Sequence, residues 1–396
     1  MSYFDSNLVS GAGGDGPGWR GARRVNLLIS DTGGGHRACA NALRAAMVEQ
    51  EPGIEVEIVD GLRETGRFPI DRMPELYTRW SERRNLWRTT FYLTNGRRWS
   101  KMLFYPWHQL TKTELSAAIL RGRPDVVVTM HPCLTAAAEY AVRKTYYQPY
   151  LATVVTDLFY GHASWFTHGA DAYFVPTDIM KERALRQRVP KDSIHVSGLP
   201  LNSRLSALRG QRAQLRRRLG FNKPTVVCVG GADGMGIQRL FPSLAELPEG
   251  IDVHIVCGKN EELRQRLERS RPPANVYLHG FTTELPEMLA AADLALIKAS
   301  PTVLMETLTV GTYVLIYDFV PGQEFANVRF VQENGLGDYS RSPERIARKI
   351  REYCGRKASM PVAERAIDFV PRDGATKIAK HILFQSESRS ARLSFS

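Results

Sequence analysis

The sequence predicts an α/β protein in which two Rossmann-like domains face each other across a cleft. Its 396 residues are too many for one core and suit two domains of roughly 150–200 residues. Short Val- and Ile-rich runs alternate with helix-like segments, which is typical of a parallel, doubly wound sheet. This alternation occurs in one block that begins near residue 25 and in a second that begins near residue 225.

The candidate strands define the two blocks and the place where ligands should bind. The first block has six, at 25–30, 54–60, 125–132, 150–157, 172–177 and 194–200. The second has five, at 225–231, 252–260, 275–281, 292–300 and 313–318. Ligands of such sheets bind beyond the carboxyl ends of the strands, so we expect the cleft where these runs end. The expected units are a flexible segment, two domains and a flexible tail, over 1–24, 25–205, 206–385 and 386–396.

Composition and charge limit the classes of partner. Lys and Arg number 53 against 41 Asp and Glu, so the formal net charge is +12, which favours nucleic acid, a phosphorylated small molecule or an anionic membrane. No apolar run reaches the roughly 18–20 residues that span a bilayer. Residues 1–24 lack the apolar stretch of a secretory signal. Five scattered cysteines without a CxxC pair argue against a zinc knuckle or a disulfide framework and suit a reducing cytosol.

A glycine-rich turn, SDTGGGHRA, follows the first strand. Glycines let the backbone approach an anion, and the start of the next helix offers free N–H donors, so Gly34 and Gly35 are candidate ligand contacts. His36 stands at the helix start, where the positive end of the helix dipole disfavours its protonated form. A neutral imidazole there is a candidate general base. The alternative is a tight turn with a capping histidine.

Two further strand ends of the first block carry polar and aromatic side chains. In the run VVTDLFYGHASWF, Asp157 ends a strand, and His162 and Trp165 follow in a loop. Asp157 could have a functional role, in which it orients His36 or contacts substrate. It could instead cap a helix, and the pattern does not decide between these two interpretations. His131, at the end of the preceding strand, has the pattern of a polar strand-end residue.

The second block has its own candidate binding segments. The strand-to-helix turn VGGADGMG is a second candidate phosphate cradle, or else a loop that needs positive φ. Its candidate contacts are Gly231, Gly234, Met235 and Gly236. Lys298 ends another strand, and Glu306 follows in a helix, where a carboxylate can bind a ribose diol. Gln323, Glu324 and Asn327 lie at the next strand-to-helix junction and suit the hydroxyls of a sugar, although each alone is more often a solvated helix end.

The sequence resembles the monogalactosyldiacylglycerol synthase family in six ordered motifs between about Val25 and about Ile382. These are SDTGGGHRA, VVTDLFYGHASWF, VSGLP, GGADGMG, the segment 298–306 and GQEFANV. That family is grouped with bacterial diacylglycerol glucosyltransferases and, more distantly, with the peptidoglycan glycosyltransferase that makes lipid II. The resemblance implies a GT-B fold, a UDP-galactose or UDP-glucose donor, a diacylglycerol acceptor and inversion at the anomeric carbon. It implies no cofactor and no metal bound in a DxD motif.

The resemblance also implies a role for individual residues. His36 matches the family's proposed base, and Glu306 matches the glutamate that holds the donor ribose. Gln323 and Glu324 match the pair near the donor sugar. The stretches near the diphosphate and the uracil are matched by Met235, Gly236, Gly280 and Phe281. The domain over 25–205 would then bind the acceptor and that over 206–385 the donor. At 298–303 the chain has KASPTV, where the family usually has KAGPGT.

The stretch 63–112 has an unusual composition. It holds four of the six tryptophans, and eleven Lys or Arg stand against four acidic residues. Tryptophan and tyrosine favour the headgroup region and arginine attracts anionic lipid, so we expect peripheral docking on the cytoplasmic face of the cell membrane. Candidates for docking and for the acceptor site are Trp87, Arg97, Arg98 and Trp99, and Gly34, Gly35, His162 and Trp165. The alternative is a pair of core helices with a basic outer face. No nucleic-acid-binding motif accompanies the stretch, so we expect no nucleic acid partner.

Two other functions are compatible with these observations. A non-hydrolysing UDP-sugar epimerase would also have two Rossmann-like domains, but it would not need the aromatic, basic stretch. A degenerate membrane-bound protein that binds a UDP-sugar without turnover is suggested by the altered run at 298–303.

Overall fold

The computed structural model describes residues 22–32, 34–65, 68, 71–72, 83–96, 113–355 and 373–393. Within these ranges the chain forms two parallel sheets of six strands, each flanked by helices, as the sequence predicts. Three of the predicted docking residues, Arg97, Arg98 and Trp99, lie outside the described residues.

The first sheet is built from the first block of predicted strands. These are β1 (Arg24–Ile29), β2 (Glu55–Asp60), β3 (Val126–Thr129), β4 (Tyr150–Val154), β5 (Ala172–Val175) and β6 (Ile194–Val196). They pair in the order β2-β1-β3-β4-β5-β6, all parallel. The helices of this block are α1 (Gly34–Gln50), α2 (Arg84–Thr94), α3 (Thr135–Arg143) and α4 (Asp178–Arg186), and residues 113–119 are also helical.

The second sheet contains the five predicted strands and one more. They are β7 (Thr225–Val229), β8 (Asp252–Val256), β9 (Val276–His279), β10 (Leu294–Lys298), β11 (Tyr313–Asp318) and β12 (Gly337–Tyr339). Their order is β12-β11-β10-β7-β8-β9, again all parallel. The later helices are α5 (Arg204–Leu208), α6 (Arg212–Leu219), α7 (Ile237–Ala245), α8 (Glu261–Arg269), α9 (Leu285–Ala291), α10 (Pro301–Val310), α11 (Phe325–Glu333), α12 (Pro343–Gly355) and α13 (Gly374–Leu393).

Helices cover both faces of each sheet, which explains why the strands are apolar throughout rather than alternating. Every residue of β3, β4, β7 and β8 is buried. On β7, Val227 and Val229 point to one apolar cluster, whereas Val226 and Cys228 point to another on the opposite face. A parallel sheet with both faces covered requires such continuous apolar runs.

The last helix, α13, corrects the expected domain boundaries. Its apolar face, which includes Ile378 and Ile382, belongs to the core that also holds α1 and strands of the first sheet. Arg23 donates to the carbonyl oxygen of Leu383 at 2.7 Å, and Gln50 donates to that of Thr376 at 3.2 Å. The expected second domain over 206–385 therefore includes a segment that packs on the first sheet. The expected tail is helical as far as Leu393.

The two sheets also meet through an apolar contact beside the predicted cleft. The Phe159 ring, after β4, stacks on that of Phe330 on α11, with ring centroids 4.4 Å apart. Leu199 and Leu205, which lead out of the first block, are buried in the same cluster. No helix in the described part of the chain is long and apolar enough to span a membrane.

Candidate functional site

The carboxyl ends of the two sheets approach each other at the glycine-rich turns. A methyl group on Gly34, at the start of α1, would lie 3.3 Å from Cβ of Ala232 in the turn after β7. Thr302, in the first turn of α10, donates its hydroxyl proton to the carbonyl oxygen of Gly35 at 3.4 Å. A side chain at Gly35 would press on that hydroxyl at 3.0 Å. Glycine at both positions lets the two domains close on each other at the strand ends.

His36 occupies this junction as a neutral imidazole. Its Nδ1 lies 2.8 Å from the carbonyl oxygen of Met130 and 3.1 Å from Oγ1 of Thr156. A carbonyl oxygen can only accept, so Nδ1 carries the proton and Nε2 keeps its lone pair. Burial lowers the pKa of His36 to about 4, against the opposing effects of the Met130 carbonyl and Asp31. Burial, rather than the helix dipole invoked from the sequence, therefore keeps Nε2 able to accept a proton at neutral pH.

His131 lies against His36 and fixes the glycine-rich turn. The two rings meet edge to face, with centroids 4.7 Å apart. The backbone N–H of Cys133 donates to Nδ1 of His131 at 3.3 Å, so Nε2 carries the proton and donates to Oγ1 of Thr32 at 3.0 Å. Burial and the neighbouring His36 hold the pKa of His131 well below its usual value. From the sequence alone this residue has the pattern of a polar strand end. Its only local signal was its place beyond an apolar run.

Asp157 contacts the second domain and not His36. The indole N–H of Trp165 donates to Oδ2 at 2.7 Å, and the side-chain amide of Gln323 donates to Oδ1 at 3.0 Å. Burial raises the pKa of Asp157 to about 6, although both hydrogen bonds oppose the rise. The expectation that Asp157 orients His36 is not met, because the Met130 carbonyl takes that position. Instead, Asp157 joins the first domain to the GQE segment of the second.

Trp165 and His162, the acceptor-site candidates of the loop after Asp157, are both buried. The Trp165 side chain is fully buried, and its ring centroid lies 6.5 Å from that of His36. His162 caps a short 3₁₀ helix by accepting from the backbone N–H of Ser164 at 3.2 Å. Its Nε2 lies 3.0 Å from Oγ1 of Thr94 on α2. Trp165 therefore lies behind His36, and His162 holds the carboxyl end of α2.

The second glycine-rich turn has three glycines with positive φ angles and is held by the buried side chain of Tyr317. Gly231, Gly234 and Gly236 have φ angles of 72°, 67° and 79°, which other residues adopt only with strain. The hydroxyl of Tyr317 donates to the carbonyl oxygen of Met235 at 2.7 Å, and a methyl group on Gly236 would lie 2.9 Å from the Tyr317 ring. The glycines therefore satisfy a backbone requirement of this loop, and the loop lies opposite Gly34.

Glu306 is half-buried on α10, on the side that faces α1. Burial raises its pKa to about 7. Burial raises the pKa of the Cys39 thiol on α1 against a hydrogen bond to Thr302, and the charge of Glu306 adds to this rise. Among the residues that the structure describes, the Glu306 carboxyl group has no hydrogen-bond partner. A carboxyl group of this kind can receive a pair of hydroxyl donors.

Other predicted donor residues hold their own loops. Glu324 accepts from the backbone N–H of Val320 at 2.7 Å, and its other oxygen lies 3.4 Å from Nζ of Lys298. Asn327 is buried and donates to the carbonyl oxygen of Ala299 at 2.8 Å. The side chains of Glu324 and Asn327 thus tie the loop before α11 to the end of β10. Glu324 is engaged through both carboxylate oxygens, whereas the buried Oδ1 of Asn327 has no partner among the described residues.

The end of β9 presents an exposed aromatic ring. Phe281 is 70% exposed, and it follows Gly280, at which a methyl group would have no neighbour closer than 3.8 Å. An exposed phenyl ring beside an open backbone stretch suits a planar base. Across the described ranges, no group of three or more His, Cys, Asp or Glu side chains is arranged to hold a metal ion.

Helix α2 is the described part of the predicted docking stretch. Phe91 is buried against the loops behind it, and Trp87 is half-buried. The outward side chains Leu86, Tyr92 and Leu93 are exposed. On this helix the exposed apolar side chains are therefore leucine and tyrosine rather than tryptophan.

Two family profiles match adjoining parts of the chain. Residues 36–201 match the family described as monogalactosyldiacylglycerol (MGDG) synthase, and residues 211–363 match glycosyl transferases group 1. A probable monogalactosyldiacylglycerol synthase 2, chloroplastic, from Oryza sativa subsp. indica is 31% identical over 346 residues. That alignment covers 84% of this chain and 74% of the rice protein.

Solved structures share the fold at low sequence identity. MurG from Acinetobacter baumannii superposes with a TM-score of 0.55 and 14% identity, over 91% of this chain and 99% of that one. The UDP-GlcNAc 2-epimerase of Methanocaldococcus jannaschii, solved with UDP-GlcNAc and UDP, gives 0.54 and 12% identity, over 91% and 99% of the two chains. MurG and the UDP-GlcNAc 2-epimerase fit about equally well, so the fold is GT-B-like but does not by itself identify an activity.

The sequence matches, unlike the fold, point to one of these classes of protein. They extend over both domains and include the histidine of the first glycine-rich turn and the segments that carry Asp157, Glu306 and Gln323. The chain is a glycosyltransferase that belongs to the monogalactosyldiacylglycerol synthase family.

Proposed function

We propose that this protein transfers galactose or glucose from a UDP-sugar to diacylglycerol and forms a monoglycosyldiacylglycerol with inversion at the anomeric carbon. The observation that carries the proposal is His36, a neutral imidazole with an unprotonated Nε2 at the junction of the two glycine-rich turns. Family membership supplies the reaction class, and the name of the rice relative supplies the lipid product.

His36 acts as the general base. Its Nε2 removes the proton from the diacylglycerol hydroxyl while that oxygen attacks the anomeric carbon from the face opposite UDP. The bond from the anomeric carbon to the diphosphate oxygen breaks as the new C–O bond forms, and UDP leaves with the negative charge. The proton stays on His36 until it passes to solvent. The Met130 carbonyl and Asp31 favour the imidazolium that forms in this step.

The second domain holds the donor. The backbone N–H groups of the turn over 230–236 and of the first turn of α10 stabilise the charge of the departing diphosphate in place of a metal. Glu306 accepts hydrogen bonds from the ribose diol, and Phe281 packs on the uracil. Thr302, where the family pattern has glycine, contacts Gly35 instead of leaving that space open to the donor.

The acceptor reaches the site from a membrane. We infer that α2 rests on the cytoplasmic face of the cell membrane with Leu86, Tyr92 and Leu93 in the headgroup region. The eleven basic residues of the stretch 63–112 favour anionic lipids. Diacylglycerol would then reach His36 from the side of the cleft that α2 borders.

The direct test is incubation with diacylglycerol in phosphatidylglycerol vesicles and, in separate reactions, UDP-galactose, UDP-glucose and UDP-GlcNAc. We expect one hexosyl lipid from UDP-galactose or UDP-glucose, with the configuration at its anomeric carbon opposite to that in the donor by proton NMR. Conversion of free UDP-sugar to its epimer without any glycolipid would instead identify an epimerase. Binding of UDP without either product would identify a degenerate binding protein.

A further inference from the structure

Helix α2 contacts both domains, one at each end. At its carboxyl end, Asn95 accepts from the backbone N–H of Ala163 at 2.8 Å and from Nη2 of Arg183 at 2.9 Å. Asn95 also donates to the hydroxyl of Tyr160 at 3.0 Å. These contacts, together with that of Thr94 to His162, fix this end of α2 to the first domain.

At the amino end of α2, Arg84 reaches the second domain. Its Nη1 donates to Oδ1 of Asp318 at 2.6 Å and to the carbonyl oxygen of Phe319 at 2.7 Å. The guanidinium carbon also lies 4.6 Å from the centroid of the Phe319 ring. Asp318 ends β11, so Arg84 holds the first residues of the loop that leads to Gln323 and Glu324.

One turn further along that loop, Gly322 packs on α2 directly. It has a φ angle of 85°, and a methyl group on it would lie 2.6 Å from Cδ1 of Phe91. The loop from 318 to 324 is therefore held on three sides: by α2, by Asp157 through Gln323, and by Lys298 through Glu324. Of these, the contacts to α2 and to Asp157 cross between the domains.

Asp318 has cationic partners besides Arg84, so the loss of Arg84 can be distinguished from a loss of stability in the second domain. Arg239 and Arg341, both from the second domain, also lie within 3.6 Å and 3.3 Å of the Asp318 carboxylate. If Arg84 were lost, Asp318 would keep two cationic partners and would not become an unpaired, half-buried charge. The contact of Arg84 with Asp318 therefore contributes to the joining of the domains more than to the stability of the second one.

We propose that Arg84 is a positioning residue: it holds the loop over 318–324 against the first domain, so that Gln323 reaches Asp157 beside His36. The kinetic part of this inference rests on the proposed transfer reaction. The structural part, which concerns how the two domains close, does not.

The test compares Arg84→Ala and Arg84→Lys with a matched control, Arg329→Ala. Arg329 on α11 pairs with Glu333 at the same N–O distance of 2.6 Å, but within one exposed helix of one domain. With a short-chain, detergent-dispersed diacylglycerol as acceptor, we expect kcat/KM for the UDP-sugar to fall roughly ten- to a hundredfold in Arg84→Ala. UDP affinity by calorimetry should stay within about twofold of the wild type. Arg84→Lys, which keeps the charge but loses the planar guanidinium over the Phe319 ring, should be intermediate. Arg329→Ala should match the wild type.

A second measurement is independent of turnover. In small-angle X-ray scattering with saturating UDP, Arg84→Ala should have a larger radius of gyration than the wild type and Arg329→Ala. This readout judges the inference even if the wild-type protein makes no glycolipid. The inference is overturned if Arg84→Ala matches the control in both measurements, or if its UDP affinity falls in proportion to its activity. Should Arg84→Ala fail to fold, the same two outcomes are judged on Arg84→Lys.

Discussion

Replacing Asp157 by Asn should make the protein more stable at neutral pH. The amide has the same shape as the carboxylate. Its oxygen can accept from the indole N–H of Trp165, and its NH₂ group can donate to the side-chain oxygen of Gln323 once that amide has turned over. The substitution thus removes a buried charge while it keeps the packing and both hydrogen bonds.

The size of the effect follows from the pKa of Asp157, which folding raises from 3.8 to about 6. The folded state therefore holds the proton more tightly than the unfolded state. The resulting stabilisation is fully present below about pH 4 and is lost as the pH rises through 6. At about 1.36 kcal/mol per pKa unit, the charged carboxylate costs roughly 3 kcal/mol at pH 7. Wild type and Asp157→Asn should be equally stable near pH 4, and a gap of that size should open by pH 7.

The assay is urea unfolding of both proteins, followed by tryptophan fluorescence and by circular dichroism, at half-unit steps from pH 4 to 7.5. Buried histidines such as His36 and His162, whose pKa values are lowered to about 4, oppose this trend as the pH changes. They are common to both proteins, so their contribution cancels in the difference. Asp192→Asn, at an exposed carboxylate, serves as the control for the loss of one negative charge.

Parallel stability curves for wild type and Asp157→Asn across this range would refute the reasoning. So would a gap that narrows as the pH rises. A gap that opens while the transfer rate at pH 7 falls would show that the protein retains an unfavourable buried charge at the domain junction for its reaction.

The remaining predictions concern the base, the ribose contact and the membrane surface. His36→Ala should lower turnover by roughly 10²–10⁴-fold with UDP affinity unchanged, and near-normal turnover would remove His36 from the mechanism. Glu306→Ala should weaken UDP binding by about 1.5–3 kcal/mol in calorimetry. Since folding raises the pKa of Glu306 to about 7, wild-type affinity should also rise between pH 6 and 8, and a flat profile would contradict the ribose contact. Leu86→Ser with Leu93→Ser should reduce co-sedimentation with phosphatidylglycerol vesicles, unlike Phe384→Ser at an exposed position of α13. If the double variant and Phe384→Ser bind vesicles equally well, α2 has a role in packing alone.

The fold was predictable from the sequence wherever a strand is a run of buried apolar residues. β7 (TVVCV) and β4 (YLATV) are of this kind, because both faces of each sheet are covered. The strand β12 was missed because its three residues, Gly-Asp-Tyr, form no such run and pair only at the edge of the sheet. The position of α13 was also missed. An amphipathic helix indicates that it has a core to cover, but not which of two cores that is.

The glycine-rich loops of the site were predictable from the sequence, but the side-chain contacts between the two domains were not. His36 and the glycines of both turns carry a local signal, since a strand that ends in a glycine-rich turn implies a close backbone approach. The bond between Asp157 and Gln323 joins residues 166 positions apart, and that between Arg84 and Asp318 joins residues 234 apart. Such pairs depend on how the two domains meet, which no local pattern encodes.

The return of α13 to the first sheet has a consequence for the order of events during synthesis. The first core needs Ile378 and Ile382, and the ribosome makes these residues only after the whole second sheet. Domains generally fold as units during synthesis, so the second domain can be complete while the face of α1 that α13 covers is still open to water. The first domain of this protein is therefore the last to be finished, although its strands are made first. A chaperone that binds exposed apolar surface would find that surface on α1.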